Sequence, residues 1–114
     1  MARFIISFNE GDMKFPSEDL PTVAEDSHKV LREAKAAGVW IFGGGFHDYQ
    51  PVVVSEDGHV SEGPLAESPV HLGGFSVIEV DSKEDAYFWA AKIAKGCRCP
   101  QEVREIMDDP ESVN

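Results

Sequence analysis

Asp57-Gly58-His59-Val60-Ser61-Glu62-Gly63-Pro64-Leu65-Ala66-Glu67-Ser68-Pro69-Val70-His71-Leu72-Gly73-Gly74-Phe75 is the stretch on which the fold turns. It begins with an Asp-Gly pair, which favours the positive φ angles of a tight hairpin. Val52-Val53-Val54 runs into that turn, and Val60 lies on the short return. Gly63-Pro64 makes a corner, and Gly73-Gly74 lets the chain bend into a further strand, Phe75-Ser76-Val77-Ile78-Glu79-Val80.

Working outward, Arg3-Phe4-Ile5-Ile6-Ser7-Phe8 reads as a first strand that is apolar on both faces, so both faces should be covered. Residues 9–21 are polar, carry two prolines and read as a loop. Thr22-Val23-Ala24-Glu25 has the form of a capping box, and Val23, Ser27, Val30, Leu31 and Ala34 then recur at helical spacing until Gly38. Glu25 and Lys29 are spaced as an i,i+4 ion pair. Val39-Trp40-Ile41-Phe42 is a second strand, with Gly43-Gly44-Gly45 as its flexible end. On the far side, Ser82 with Asp85 opens a second helix with a stripe of Ala86, Trp89, Ala90 and Ile93. Lys92 and Lys95 lie near its negative end, and Gly96 is expected to close it. Residues 100–107 allow a helix, since Val103, Ile106 and Met107 have helical spacing. A strand at Glu102-Val103-Arg104 is preferred because it completes a β-α-β-β-α-β order.

That order predicts an α+β chain with a ferredoxin-like βαββαβ sheet and both helices on one face. The other sheet face would then expose Phe, Ile, Trp and Val, which calls for a second copy packed sheet to sheet as a dimeric α/β barrel. With 114 residues, no repeat and no linker, residues 1–114 read as a single domain. A net charge of -11 opposes binding to nucleic acid or an anionic membrane, and no apolar run is long enough for a membrane helix. Two closely spaced cysteines, Cys97 and Cys99, cannot staple a fold, and a cytoplasmic location is expected.

Glu62-Gly63-Pro64-Leu65-Ala66-Glu67-Ser68 together with Leu72-Gly73-Gly74-Phe75 resembles the signature loop of YCII-related (DGPF-type) proteins, roughly D-G-P-F-A-E-T-K-E-x-L-G-G-F. The resemblance implies the same sheet, a homodimer, and a terminal strand at Glu102-Val103-Arg104 like the family's E-V-R-P. It also implies a His-Asp pair: Asp48 lies in the matching loop after the second strand. The family's helix histidine falls on Ser27, with His28 one residue, or about 100°, further round. Glu62 stands where the family has Asp, Leu65 where it has Phe, and Pro69-Val70 where it has Lys-Glu; Glu67 matches the family acid.

Candidate chemistry gathers in the loops. His47 and Asp48 would be an acid-base pair if they converge, since a carboxylate raises the basicity of an imidazole; otherwise they are solvated loop residues. Glu62, Glu67 and His71 would border a cleft opposite Asp48, or the carboxylates would cap loop amides. Ser27 and His28 are added as ligand-binding candidates, although His28 also reads as a solvent-facing helix residue. Gly43-Gly44-Gly45 does not lead into a helix, as a phosphate cradle requires. Cys97-Arg98-Cys99 lacks the four-ligand spacing of a zinc site, so neither a metal nor a cofactor is expected. The expected function is a dimer that binds a small polar molecule in a cleft between loops 43–50 and 62–71. The alternatives are a small enzyme using His47 and Asp48, or a regulatory protein-interaction module, since family members occur near or fused to sigma factors.

Overall fold

A computed structural model of the chain describes residues 1–47, 50–65 and 70–113; Asp48, Tyr49, residues 66–69 and Asn114 lie outside it. Strand β1 (Ala2–Asn9) is followed by a 3-10 turn (Ser17–Asp19) and helix α1 (Leu20–Ala36). Strands β2 (Trp40–Gly45), β3 (Val52–Val54), β4 (Val60–Glu62) and β5 (Leu72–Val80) come next. Helix α2 (Lys83–Cys97), β6 (Glu102–Glu105) and a 3-10 turn (Pro110–Ser112) complete the chain.

The main sheet has the order β2-β5-β1-β6 with every neighbouring pair antiparallel, the order of a ferredoxin-like fold. The strand expected at Glu102 forms, pairing Ile6 with Val103. The Asp57-Gly58 hairpin also forms: β3 and β4 make a separate two-stranded sheet inserted between β2 and β5, with Gly58 at φ +89°.

Register sorts the side chains into two faces. Phe4 pairs with Ile78 and Ala2 with Val80. These residues and Ile6 meet Ala86 and Ala90 of α2, with Trp40, Trp89, Ile93 and Val103 packed around them. Ile6 and Ile78 are fully buried, and burying each side chain stabilises by about 1.5–3 kcal/mol before entropy is counted. Both helices lie on this face. The opposite face carries Ile5, Phe75 and Val77 with Phe42, whose ring stands 6.1 Å from that of Phe75; Phe46 approaches the same ring at 6.0 Å. Phe42 is 64% exposed and Phe46 55%, so no part of the described chain covers this patch.

Four local expectations are corrected. The capping box does not start α1: the helix begins at Leu20, out of the 3-10 turn, with Pro21 in its first turn where a missing N–H costs nothing. Asp19 at the N-cap makes no side-chain cap; its carboxylate instead accepts from Arg98 at 3.0 Å, tying the start of α1 to the end of α2. Glu25 pairs with Arg32 rather than with Lys29. Gly96 does not close α2, since the left-handed position falls on Arg98 (φ 58°). Gly96 is buried against α1 instead: a Cβ there would lie 3.2 Å from the Asp26 carbonyl oxygen, so its lack of a side chain sets how closely the helices approach.

Fourth, Gly43-Gly44-Gly45 is not a loose end but the continuation of β2, paired with Ser76, Phe75 and Gly74. Gly43 is forced: a Cβ would sit 2.5 Å from the Phe75 carbonyl oxygen and 2.8 Å from the Ser76 Cα. By contrast, Gly38 ends α1 as expected. It adopts φ +75°, donates to the Lys35 carbonyl, and is followed by a Val39 amide that reaches Ala34, which is a Schellman closure. Ser82 caps α2 by accepting from the Asp85 amide at 3.1 Å.

Candidate functional site

The strand of glycines separates two hollows. Because β2 ends without side chains, the space between α1 and the sheet is not filled there, and a cavity of about 230 Å³ remains. Its walls are Ile6, Phe8, Leu31, Trp40 and Ile93, and its polar groups are Ser27, His28, Ser76, Cys97 and Gln101. Ser27 Oγ donates to the Gly96 carbonyl at 3.3 Å, a long contact, and lies 3.5 Å from Cys97 Sγ. Gln101 Nε2 reaches the Cys99 carbonyl and Sγ at 3.4 Å each. Cys99 is buried beneath, and loss of solvent, reinforced by the Cys97 and Asp12 charges, pushes its thiol up to about 11.

The second hollow is an outer cleft of about 750 Å³, built where the β3–β4 hairpin stands beside the ends of β2 and β5. Val52, Val54, Leu65 and Val70 form its apolar side, while Glu10, His47 and His71 supply the polar groups. Glu10 is held there by its backbone amide, which donates to the His71 carbonyl at 2.8 Å. The hairpin is fixed by its own turn: the Asp57 carboxylate accepts from Ser55 Oγ and, at 3.0 Å, from the His59 amide. These bonds, the Ser55 hydroxyl first, hold the Asp57 carboxyl below its ordinary value. Gly63 and Pro64, joined by a cis peptide, lead out of the hairpin, and the Gly63 amide donates to the Pro51 carbonyl at 2.9 Å.

The structure divides the residues singled out from sequence. His47 and His71 line the outer cleft together. Ser27 and His28 line the inner cavity, on the other side of the β2 glycines. Glu62, on β4, is exposed and lines neither hollow. Asp48, the proposed partner of His47, and Glu67 lie outside the described residues. Glu10, a cleft residue that sequence reasoning missed, had one available signal: it directly follows a strand whose neighbour enters from His71. Among the described residues, no three His, Cys, Asp or Glu side chains gather as a metal ligand set, and no helix is long and apolar enough to cross a membrane. The chain matches no protein-family model, and no curated protein is similar to it.

Proposed function

We propose that this protein is a homodimeric binding protein of the dimeric α/β-barrel kind, which takes a small polar molecule in the outer cleft. The observation that carries the binding reading is that His47, His71 and Glu10 line one cleft beside an apolar wall. A few polar groups on a largely apolar lining is the usual make-up of a small-molecule site. The likeness of Glu62–Ser68 and Leu72–Phe75 to YCII-related proteins belongs to the same proposal.

The dimer is supported by the uncovered face with Ile5, Phe42, Phe75 and Val77. Arg3 and Glu79 form an ion pair on that face at 2.9 Å, and both signs of charge there suit a self-complementary, two-fold contact. Since each chain carries -11, association works against long-range repulsion, and added salt should strengthen it by screening.

Light scattering after size exclusion tests the assembly: a dimer is expected, stabilised by salt and dissociated by Val77→Glu with Phe42→Glu. A wild-type monomer at low and high salt would remove it. For the cleft, NMR spectra of the imidazoles are recorded against amino acids, dicarboxylates and sugar phosphates. One class should shift His47 and His71 saturably while His28 and His59 stay still. Equal shifts in all four, or none, reject the site. The same spectra in Asp48→Asn test the acid-base alternative, which requires His47 alone to change its titration.

A further inference from the structure

We propose that the inner cavity is a second ligand site, distinct from the outer cleft, and that it takes a neutral, mostly apolar molecule with one hydrogen-bonding end. Protein interiors are close-packed, whereas about 230 Å³ between α1 and the sheet stays unfilled in a hollow that is open on one edge. A cavity of about 150 Å³ with aliphatic and aromatic walls accommodates benzene. The space here suits a molecule somewhat larger, of bicyclic aromatic size.

Charge sets the class of ligand. Charged residues make up 27% of the chain, yet none of the residues lining this cavity is Asp, Glu, Lys or Arg. An ammonium ion would enter without a counter-charge, and a carboxylate would find only His28 at the exposed edge, so either charge forfeits its hydration among the apolar walls. The walls of Ile6, Phe8, Leu31 and Trp40 favour an apolar body, and Met13 supplies a side chain that adapts to shape.

The polar end is equally specific. Ser27 Oγ lies 3.3 Å from the Gly96 carbonyl and 3.5 Å from Cys97 Sγ, and Gln101 Nε2 lies 3.4 Å from both the Cys99 carbonyl and Sγ; the two contacts to carbonyls are long for hydrogen bonds. A ligand N–H or O–H can replace such contacts with shorter ones at little cost. His28 is an exposed member of the lining, so the cavity opens to solvent on that edge. The placement also gives Ser27 a role of its own: without a charged group, a hydroxyl at this helix position recognises rather than transfers a proton.

Indole is the probe, with benzoate as its anionic counterpart of similar size. Two-dimensional NMR of the wild-type chain should show saturable indole shifts at the amides of Gly43, Gly44, Gly45 and Ser76. A dissociation constant of roughly a millimolar or tighter is within reach of a ligand of about nine heavy atoms. Benzoate should bind at least about tenfold more weakly, the equivalent of one uncompensated charge contact. Val30→Phe, which fills the cavity from α1, should abolish the indole shifts. If that variant does not fold, Ser27→Val should weaken indole several-fold. The proposal is overturned by absence of saturable binding to the wild type, by shifts confined to the outer cleft, by benzoate binding as well as indole, or by a folded Val30→Phe or Ser27→Val chain that binds indole unchanged.

Discussion

Adding one methyl group at Gly43 and one at Gly44 should move stability in opposite directions, although the residues are neighbours on one strand. At Gly43 the new Cβ would lie 2.5 Å from the Phe75 carbonyl oxygen, 2.8 Å from the Ser76 Cα and 3.0 Å from Trp40 Cη2. Two of those three atoms belong to the backbone of β5, which β1 grips from its other side and which therefore cannot retreat. Overpacking typically costs 1–3 kcal/mol, and a clash against fixed backbone belongs at the upper end, about 3 kcal/mol. For a chain of this size that is a large share of a total stability of about 6–17 kcal/mol, and lowers Tm by roughly 12 °C. At Gly44 a Cβ meets nothing within 4 Å, so Gly44→Ala gains only the reduced unfolded-state freedom, about 0.5–1 kcal/mol. Urea unfolding followed by tryptophan fluorescence reads both values, run in a Val77→Glu background so that association does not enter. An unchanged m-value would show that the same surface is exposed in each case. Equal shifts from the two variants would refute the close approach of β2 to β5 and the register that produces it.

Other outcomes follow from local features. Ser82→Ala should cost about 1 kcal/mol through loss of the α2 cap, whereas Thr22→Ala should stay within about 0.5 kcal/mol because α1 starts elsewhere; thermal melts compare them. The raised Cys99 thiol binds a proton in the folded state that the unfolded chain has lost, so its contribution is complete below pH 9.0 and disappears as pH rises to about 11. Stability against pH should therefore fall across that window, and Cys99→Ala should flatten the slope. At pH 8, alkylation read by mass spectrometry should label Cys97 ahead of Cys99. Carboxyl NMR should place Asp57 below its ordinary 3.8, and Ser55→Ala should raise it, since the Ser55 hydroxyl is the largest cause of the depression.

The elements that the sequence revealed are those whose signals are local. The Asp57-Gly58 turn, the Ser82 cap, the Gly38 stop and the α2 stripe all depend on chemistry within a few residues, and each stands where the pattern put it. The misreadings share a different cause. Thr22 and Glu25 satisfy a capping pattern, but the helix is free to begin earlier because Pro21 is harmless in a first turn. Gly96 carries the residue type of a helix stop, but its place is decided by α1, whose Asp26 and Ser27 backbone lies against it from 70 and 69 positions away. A long-range contact of that kind leaves no periodic trace.

The candidate site divides for the same reason. Ser27 and His28 are candidates because the resemblance sets the family's helix histidine on Ser27, and nothing in one-dimensional spacing says which side of a strand they reach. The side is decided by β2. Its alternation places Gly43 and Gly45 toward the helices and Gly44 toward the open face, so two missing side chains leave the helix side bare there, and Gly45 lines both hollows. One run of glycines thus gives the inner cavity its floor and the outer cleft its edge. The run reads as flexibility when the sequence is taken alone, because glycine has no other local meaning. Within the sheet it borders a space whose lining has no Asp, Glu, Lys or Arg and, through Gly45, one lined by Glu10, His47 and His71.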